Sequence, residues 1–242
     1  MSAPGIEGRD EGRDEGRDRL LICDCDGVLI DSEAVAAGVL VRELEARWPG
    51  VEVRPIVLPL LGLRTERVLA GAAAQAGHTL SAEEIETIRA TVERAAVQAP
   101  AVDGIDAALA AIPLPIACAS NSNRPYVEAA LTRTGLKRHF GERLFCADGV
   151  ERPKPAPDVY LAAAHTLGFA PEHCLVVEDS ATGITAAAAA GMTVIGFVGG
   201  GHASPSQVDA LRAIGARHVF DRMDLLPGLV AQWIATGTVQ SQ

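Results

Sequence analysis

Two aspartates separated by one residue, Asp24-Cys25-Asp26, close an apolar run in the stretch LLICDCDGVLIDSE, residues 20–33. A carboxylate beside apolar neighbours is costly unless a cation or hydrogen bonds accompany it. In extended backbone, residues two apart project from one face, so both carboxylates can meet one site. Similar polar endings recur along the chain. PIACASNSN leaves its apolar run at Ser120, CLVVEDS ends in Glu178-Asp179, and ERPKPAPDVY holds Lys154 between two prolines at the entrance to a helix. Acids, a hydroxyl and an ammonium at corresponding positions suit phosphoryl chemistry. Mg²⁺ takes oxygen ligands and commonly bridges to phosphate. Lys154 and Ser120 then suit the remaining phosphate oxygens. With like-charge repulsion offset in this way, Asp24 can attack phosphorus and form an aspartyl-phosphate. Asp26 can protonate the leaving alcohol and afterwards deprotonate the attacking water. Gly27 allows a backbone geometry that a side chain would hinder.

Taken singly, each residue also has an ordinary structural explanation. Asp26-Gly27 can be a turn with Asp24 capping it, and Ser120 a helix cap. Lys154 can be a solvated loop lysine, and Glu178-Asp179 can cap a following helix. Jointly, these explanations leave an acidic cluster beside an apolar sheet with nothing to balance it.

The elements that must position these residues follow from the hydrophobic pattern. Short apolar runs at 20–23, 116–119, 144–146, 174–177 and 193–197 suit buried parallel strands, and 218–220 suits an edge strand. Helical patterns at 103–111, 125–134, 156–167 and 183–190 separate them, with Pro125 at a start and Gly135, Gly168 and Gly191 at stops. The alternation predicts an α/β fold, a doubly wound parallel sheet. Between residues 33 and 99 only helical patterns occur, at 34–47, 65–76 and 82–97. We therefore expect a catalytic core of residues 19–32 and 100–242, with an all-helical cap at 33–99 over the carboxyl end of the first strand. Residues 1–18 hold the repeat GRDEGRDEGRD, which can bury nothing and reads as a disordered tail. Its IEGR at 6–9 resembles a vector-derived protease site.

The chain has 242 residues, 48% of them hydrophobic, enough for a real core, and a formal net charge of -10. That charge argues against nucleic acid or an anionic membrane as partner, though not against a local anion pocket. No run is long enough to span a bilayer and no apolar signal region opens the chain, so a cytoplasmic location is expected. The five cysteines, at 23, 25, 118, 146 and 174, read as buried reduced thiols. Cys23 and Cys25 have no partner pair at zinc-finger spacing.

In order along the chain, DCDGV, CASNS, KPAPDVY and VVEDSATGITAAAAAGM resemble the four motifs of the haloacid dehalogenase superfamily, over the whole chain after Arg19. The helical insertion is similar to the small cap of its β-phosphoglucomutase-like branch. The resemblance implies Asp24 as nucleophile, Asp26 as general acid/base, and Ser120 and Lys154 as holders of the phosphoryl group, with Asn121 also at the phosphate. It implies Mg²⁺ bound by Asp24, the backbone carbonyl of Asp26, Glu178 and Asp179. Dehalogenating members lack the second aspartate of the first motif, so Asp26 argues against dehalogenation. Mutases of this branch carry a histidine near the position of Ala36 and a lysine where Asn123 stands. Both are missing, which favours hydrolysis. LLGLRTERV resembles the substrate-specificity loop and would aim Arg64 and Thr65 at the substrate; Arg64 is equally explained as a surface residue opening a helix. GFVGGGH, at 196–202, reads as a loop after a strand.

The expectation is a Mg²⁺-dependent phosphatase of a small phosphorylated metabolite such as a sugar phosphate, working as a monomer, with a homodimer as the alternative. The rival enzyme is a phosphosugar mutase. The rival of another class is a phospho-aspartate signalling module, which is shorter, lacks the insertion and needs no proton donor beside its nucleophile.

Overall fold

The computed structural model describes residues 18–61, 63, 65–199 and 205–239. Arg64, residues 1–17 of the N-terminal repeat segment and the end of the GFVGGGH stretch lie outside the described residues. Among the described residues six strands form one parallel sheet: β1 (Leu20–Cys23), β2 (Ile116–Ser120), β3 (Leu144–Cys146), β4 (Cys174–Glu178), β5 (Thr193–Phe197) and β6 (His218–Phe220). Their order is β3-β2-β1-β4-β5-β6, so the first strand lies in the middle. This differs from the flavodoxin-like strand order of receiver modules.

The strands are buried because both faces of the sheet are covered, and side chains alternate between two apolar clusters. Leu21 and Cys23 of β1 face the cluster that holds Ile105, Leu109, Val127, Leu131 and Trp233. These come from α5 (Ile105–Ala110), α6 (Arg124–Arg133) and α11 (Leu226–Thr236). Leu20 and Ile22 face the opposite cluster, with Tyr160, Ala163, Ala164, Ile184, Ala186 and Ala187. Those belong to α8 (Asp158–Leu167) and α9 (Ala181–Ala189). Alanines at 117 and 119 of β2 lie on this second face, where small side chains let helices approach the sheet closely. α7 (Lys137–Phe140) and α10 (Pro205–Ala213) complete the described core helices.

The boundaries follow local chemistry. The helix expected from residue 103 starts only at Ile105, because Gly104 takes a left-handed conformation immediately before it. Asn123 caps α6, its side chain accepting from the Tyr126 amide, with Pro125 in the first turn. α11 went unread in the sequence, yet Trp233 on it is fully buried against the first cluster.

Between β1 and α5 the described residues hold helices and no named strand: α1 (Ser32–Arg47), α2 (Arg54–Val57), α3 (Thr65–Ala76) and α4 (Ala82–Ala96). Their apolar faces make a third cluster that includes Leu40, Leu44, Trp48, Leu69 and Ile88. It shares no residue with the two clusters of the sheet. α4 opens with a reciprocal cap, in which Ser81 and Glu84 each accept the other's amide. The chain leaves and re-enters the sheet region through two adjacent segments. Asp31 N–H donates to Pro100 O at 2.9 Å and Val102 N–H to Leu29 O at 3.0 Å. The helical unit is thus joined to the sheet by two short hydrogen-bonded segments.

Candidate active site

β2, β1 and β4 are neighbours and end at one edge, so Ser120, Asp24 and Glu178-Asp179 meet there. Asp24 N–H donates to Val177 O at 3.0 Å, which carries the ladder one residue past β1. Among the described residues the buried polar side chains are Asp24, Ser32, Ser120, Lys154, Glu178 and Asp179. Five of these lie at this edge, and Ser32 bonds to Asp26.

Lys154 lies at the centre. Its Nζ donates to Asp24 Oδ1 at 2.6 Å, Glu178 Oε1 at 2.6 Å and Ala119 O at 2.9 Å, which uses all three protons. The ammonium also lies over the Tyr160 ring, 4.7 Å from its centroid. Burial alone would lower its pKa; the charges of Asp24 and Glu178 outweigh burial and raise it. The main chain of Lys154 is held by Asn121, whose Nδ2 donates to Lys154 O at 3.0 Å and whose Oδ1 accepts from Lys154 N–H at 2.8 Å. Asn121, expected at the phosphate, lines the cavity beside Asp26 and has both ends of its carboxamide engaged with the Lys154 backbone, because the two loops run side by side.

Glu178 is hydrogen-bonded at both oxygens. Oε1 accepts from Lys154 and, at 2.8 Å, from the Tyr160 hydroxyl. Oε2 accepts from the Asp179 and Ser180 amides and the Ser180 hydroxyl. Burial pushes its carboxyl up, but the Lys154 charge and these donors bring it below its ordinary value. Asp179 is the contrast, since no hydrogen bond from the described residues reaches its carboxylate. Burial, then the charges of Glu33, Glu178 and Asp24, raise its pKa well above the aspartate range. Asp24 is pushed up to about 8, chiefly by burial, with Glu178 and Asp26 adding to the effect and Lys154 opposing it.

Two glycines make this packing possible. Gly27 has φ +83°, and a Cβ there would fall on the Asp179 carboxylate. A Cβ on Gly183 would fall on Glu178 Oε1. Cys25, between the two aspartates, is held as a neutral thiol by the neighbouring Cys118 and by burial.

Oxygens of Asp24, Glu178 and Asp179 lie within 4.8 Å of one another. Three carboxylates against one ammonium would leave two negative charges in a buried place if all were ionised, and burial answers that excess by raising Asp24 and Asp179. All-oxygen donors with that excess fit a hard divalent cation such as Mg²⁺.

Asp26 is oriented by three hydroxyls. Ser32 and Tyr126 donate to Oδ1 at 2.7 and 2.8 Å, and Ser122 donates to Oδ2 at 2.8 Å. It faces a cavity of about 580 Å³ bounded by Asn121, Ser122, Asn123 and Tyr126 on the sheet side. Ser32, Glu33 and Ala36 of α1, Glu93 and Ala96 of α4, and the following Val97 form the opposite wall. Asp24, Ser120, Lys154 and Asp179 are buried and do not line it. Thr65, at the start of α3, does not line it either, and Arg64 lies outside the described residues. Ser120 Oγ accepts from the Ser122 amide at 3.0 Å.

Sequence reasoning missed Ser32, Ser122, Tyr126, Tyr160 and Ser180, which hold the acids in place. Four stand inside quoted stretches, DSE, CASNS, KPAPDVY and VVEDS, and their hydroxyls were the available signal. Tyr126 had none, since only packing of α6 against the first loop brings it to Asp26.

A sequence profile described as haloacid dehalogenase-like hydrolase matches residues 19–191. The 6-phosphogluconate phosphatase of Escherichia coli (strain K12) is 27% identical over 184 residues, 75% of this chain and 83% of that protein. Hexitol phosphatase A of the same organism is 32% identical over 187 residues, 71% of this chain and 79% of that protein. The crystal structure of a HAD family hydrolase from Deinococcus radiodurans R1, with bound phosphate and sodium, has a TM-score of 0.77 at 32% identity, covering 94% of this chain and all of that one.

Proposed function

The chain belongs to the haloacid dehalogenase-like hydrolase family, and on that footing we propose that it hydrolyses the phosphate monoester of a sugar or sugar alcohol through an aspartyl-phosphate on Asp24. It is a phosphoric monoester hydrolase; its relatives are phosphatases of a sugar acid phosphate and of hexitol phosphates. The observation that carries the mechanism is the convergence of Asp24, Lys154 and Asp179 on one buried point beside Asp26.

Asp24 attacks phosphorus through the oxygen that Lys154 leaves unbonded. The Ser120 hydroxyl would hold a phosphoryl oxygen, and Lys154 would turn toward the phosphoryl group one of the three protons it gives to Asp24, Glu178 and Ala119 O, its charge offsetting the repulsion between two anions. Glu178 and Asn121 keep the ammonium and its backbone in register. Asp24, Asp179, the carbonyl of Asp26 and Glu178 would hold Mg²⁺, which when bound neutralises charge on the phosphoryl oxygens. Asp26 gives its proton to the departing alcohol, then takes one from the water that cleaves the phospho-enzyme. The helical unit covers this edge, and its closure would exclude bulk water.

The cavity wall supports an alcohol rich in hydroxyls. Its described residues offer hydroxyls, amides and carboxylates beside an apolar edge at Ala36, Ala96 and Val97, and no lysine or arginine. Hydrolysis is favoured over phosphoryl return to a sugar, because Ala36 and Asn123, where mutases carry histidine and lysine, both line the cavity. The test is phosphate release with Mg²⁺ from hexitol phosphates, fructose 1-phosphate, 6-phosphogluconate and hexose 1-phosphates, with Asp24→Asn as control. Release by wild type and none by the variant is expected. Near-normal release by Asp24→Asn overturns the nucleophile, and isomer formation without release overturns hydrolysis.

A further inference from the structure

We propose that Tyr126 is a positioning residue that decides which oxygen of Asp26 handles the proton, an inference that rests on the phosphatase reading above. A carboxylate offers about two acceptor sites on each oxygen. Oδ1 of Asp26 has both filled, by Ser32 at 2.7 Å and Tyr126 at 2.8 Å. Oδ2 accepts only from Ser122, at 2.8 Å, among the described residues. The open acceptor site is therefore on Oδ2, which leaves that oxygen to meet the reacting group.

Tyr126 and Ser32 reach Oδ1 from separate elements, one from α6 and the other the first residue of α1. Removing the tyrosine hydroxyl opens a second site on Oδ1 and leaves the carboxyl free to turn about χ2. The loss is thus one of aim, with the carboxyl itself intact.

The proton balance is simple. As the bond between phosphorus and the ester oxygen breaks, the proton on Oδ2 passes to that oxygen and the alcohol leaves neutral. In the second half, Oδ2 takes a proton from water as its oxygen bonds to phosphorus and the Asp24 acyl-phosphate bond breaks. Asp26 ends ionised after the first step and protonated after the second, so the cycle closes.

An alkyl leaving group needs that proton, whereas a nitrophenolate leaves without it. The experiment compares full-length wild type and Tyr126→Phe, with Mg²⁺, on a hexitol phosphate and on p-nitrophenyl phosphate. It reads single-turnover release of the alcohol with enzyme in excess, so that only the first half-reaction is seen. Tyr126→Phe should slow the hexitol phosphate roughly 10- to 100-fold, part of what general acid catalysis supplies, and the aryl ester by less than about threefold. Ser122→Ala, which frees the other oxygen, should show a split in the same direction and stands in if the first variant does not fold. Equal losses on both esters, or no loss on either, overturn the positioning role alone. If wild type releases alcohol from neither ester, the phosphatase reading fails and the role falls with it.

Discussion

The excess of buried carboxylate makes the stability of this protein dependent on pH and on a divalent cation in a defined direction. Asp24 has its pKa raised from an ordinary 3.8 to about 8 in the fold. Between these values the folded state keeps a proton that the unfolded state has lost. Stability without the cation must therefore be greatest below about pH 4 for this group, and must fall as pH rises toward about 8. The slope is roughly 1.4 kcal/mol per pH unit, and the whole window amounts to roughly 6 kcal/mol. Asp179, also raised by burial, acts in the same direction. Lys154 keeps its charge throughout this range, and the lowered Glu178 releases its proton below its ordinary value, so neither reverses the slope. For a chain of this size the expected fall in Tm is roughly 3–5 °C per pH unit in EDTA. The assay is thermal unfolding across about pH 5 to 8 with EDTA or with Mg²⁺, for wild type and Asp24→Asn. Mg²⁺ should raise the Tm more at the upper end than at the lower, and Asp24→Asn should be flatter and, in EDTA at the upper end, more stable than wild type. A flat wild-type profile in EDTA, or a Mg²⁺ effect independent of pH, would refute the charge argument.

Other perturbations read other parts of the site. Lys154→Met should abolish phosphate release and cost about 3–5 kcal/mol, because two buried carboxylates lose their counter-charge; urea unfolding and a phosphate assay together check this. Asn121→Ala should cost about 1–3 kcal/mol and lower kcat more than it raises KM, since it releases the Lys154 backbone on both sides; a KM change with normal kcat would instead place Asn121 on the substrate. Gly183→Ala should destabilise by more than about 1 kcal/mol, because its Cβ would displace Glu178; an unchanged Tm would show that Glu178 can move without cost.

Most of the sheet was legible because buried parallel strands are short continuous apolar runs, and all six expected ones occur. α11 was missed although Leu226, Val230 and Trp233 recur at helical spacing, because Pro227-Gly228 at its start is a turn signal and burial at Trp233 comes from distant partners. The helical interval after β1 was legible because strand patterns are absent there, but no local pattern says how its two joining segments pair.

By itself, the order of residues determined the identities of the acids, the lysine and the serine, and that they stand at strand ends, since an apolar run must stop where polar groups begin. Only the tertiary structure decided that β1 lies between β2 and β4, and so that Asp24 meets Lys154 and Asp179 while Asp26 turns to the cavity. It likewise decided that Asn121 holds a backbone and that Tyr126 reaches Asp26. The physical reason is range: strand and helix patterns depend on neighbours a few residues apart, whereas a hydrogen bond across 100 residues exists only after packing has brought both ends together.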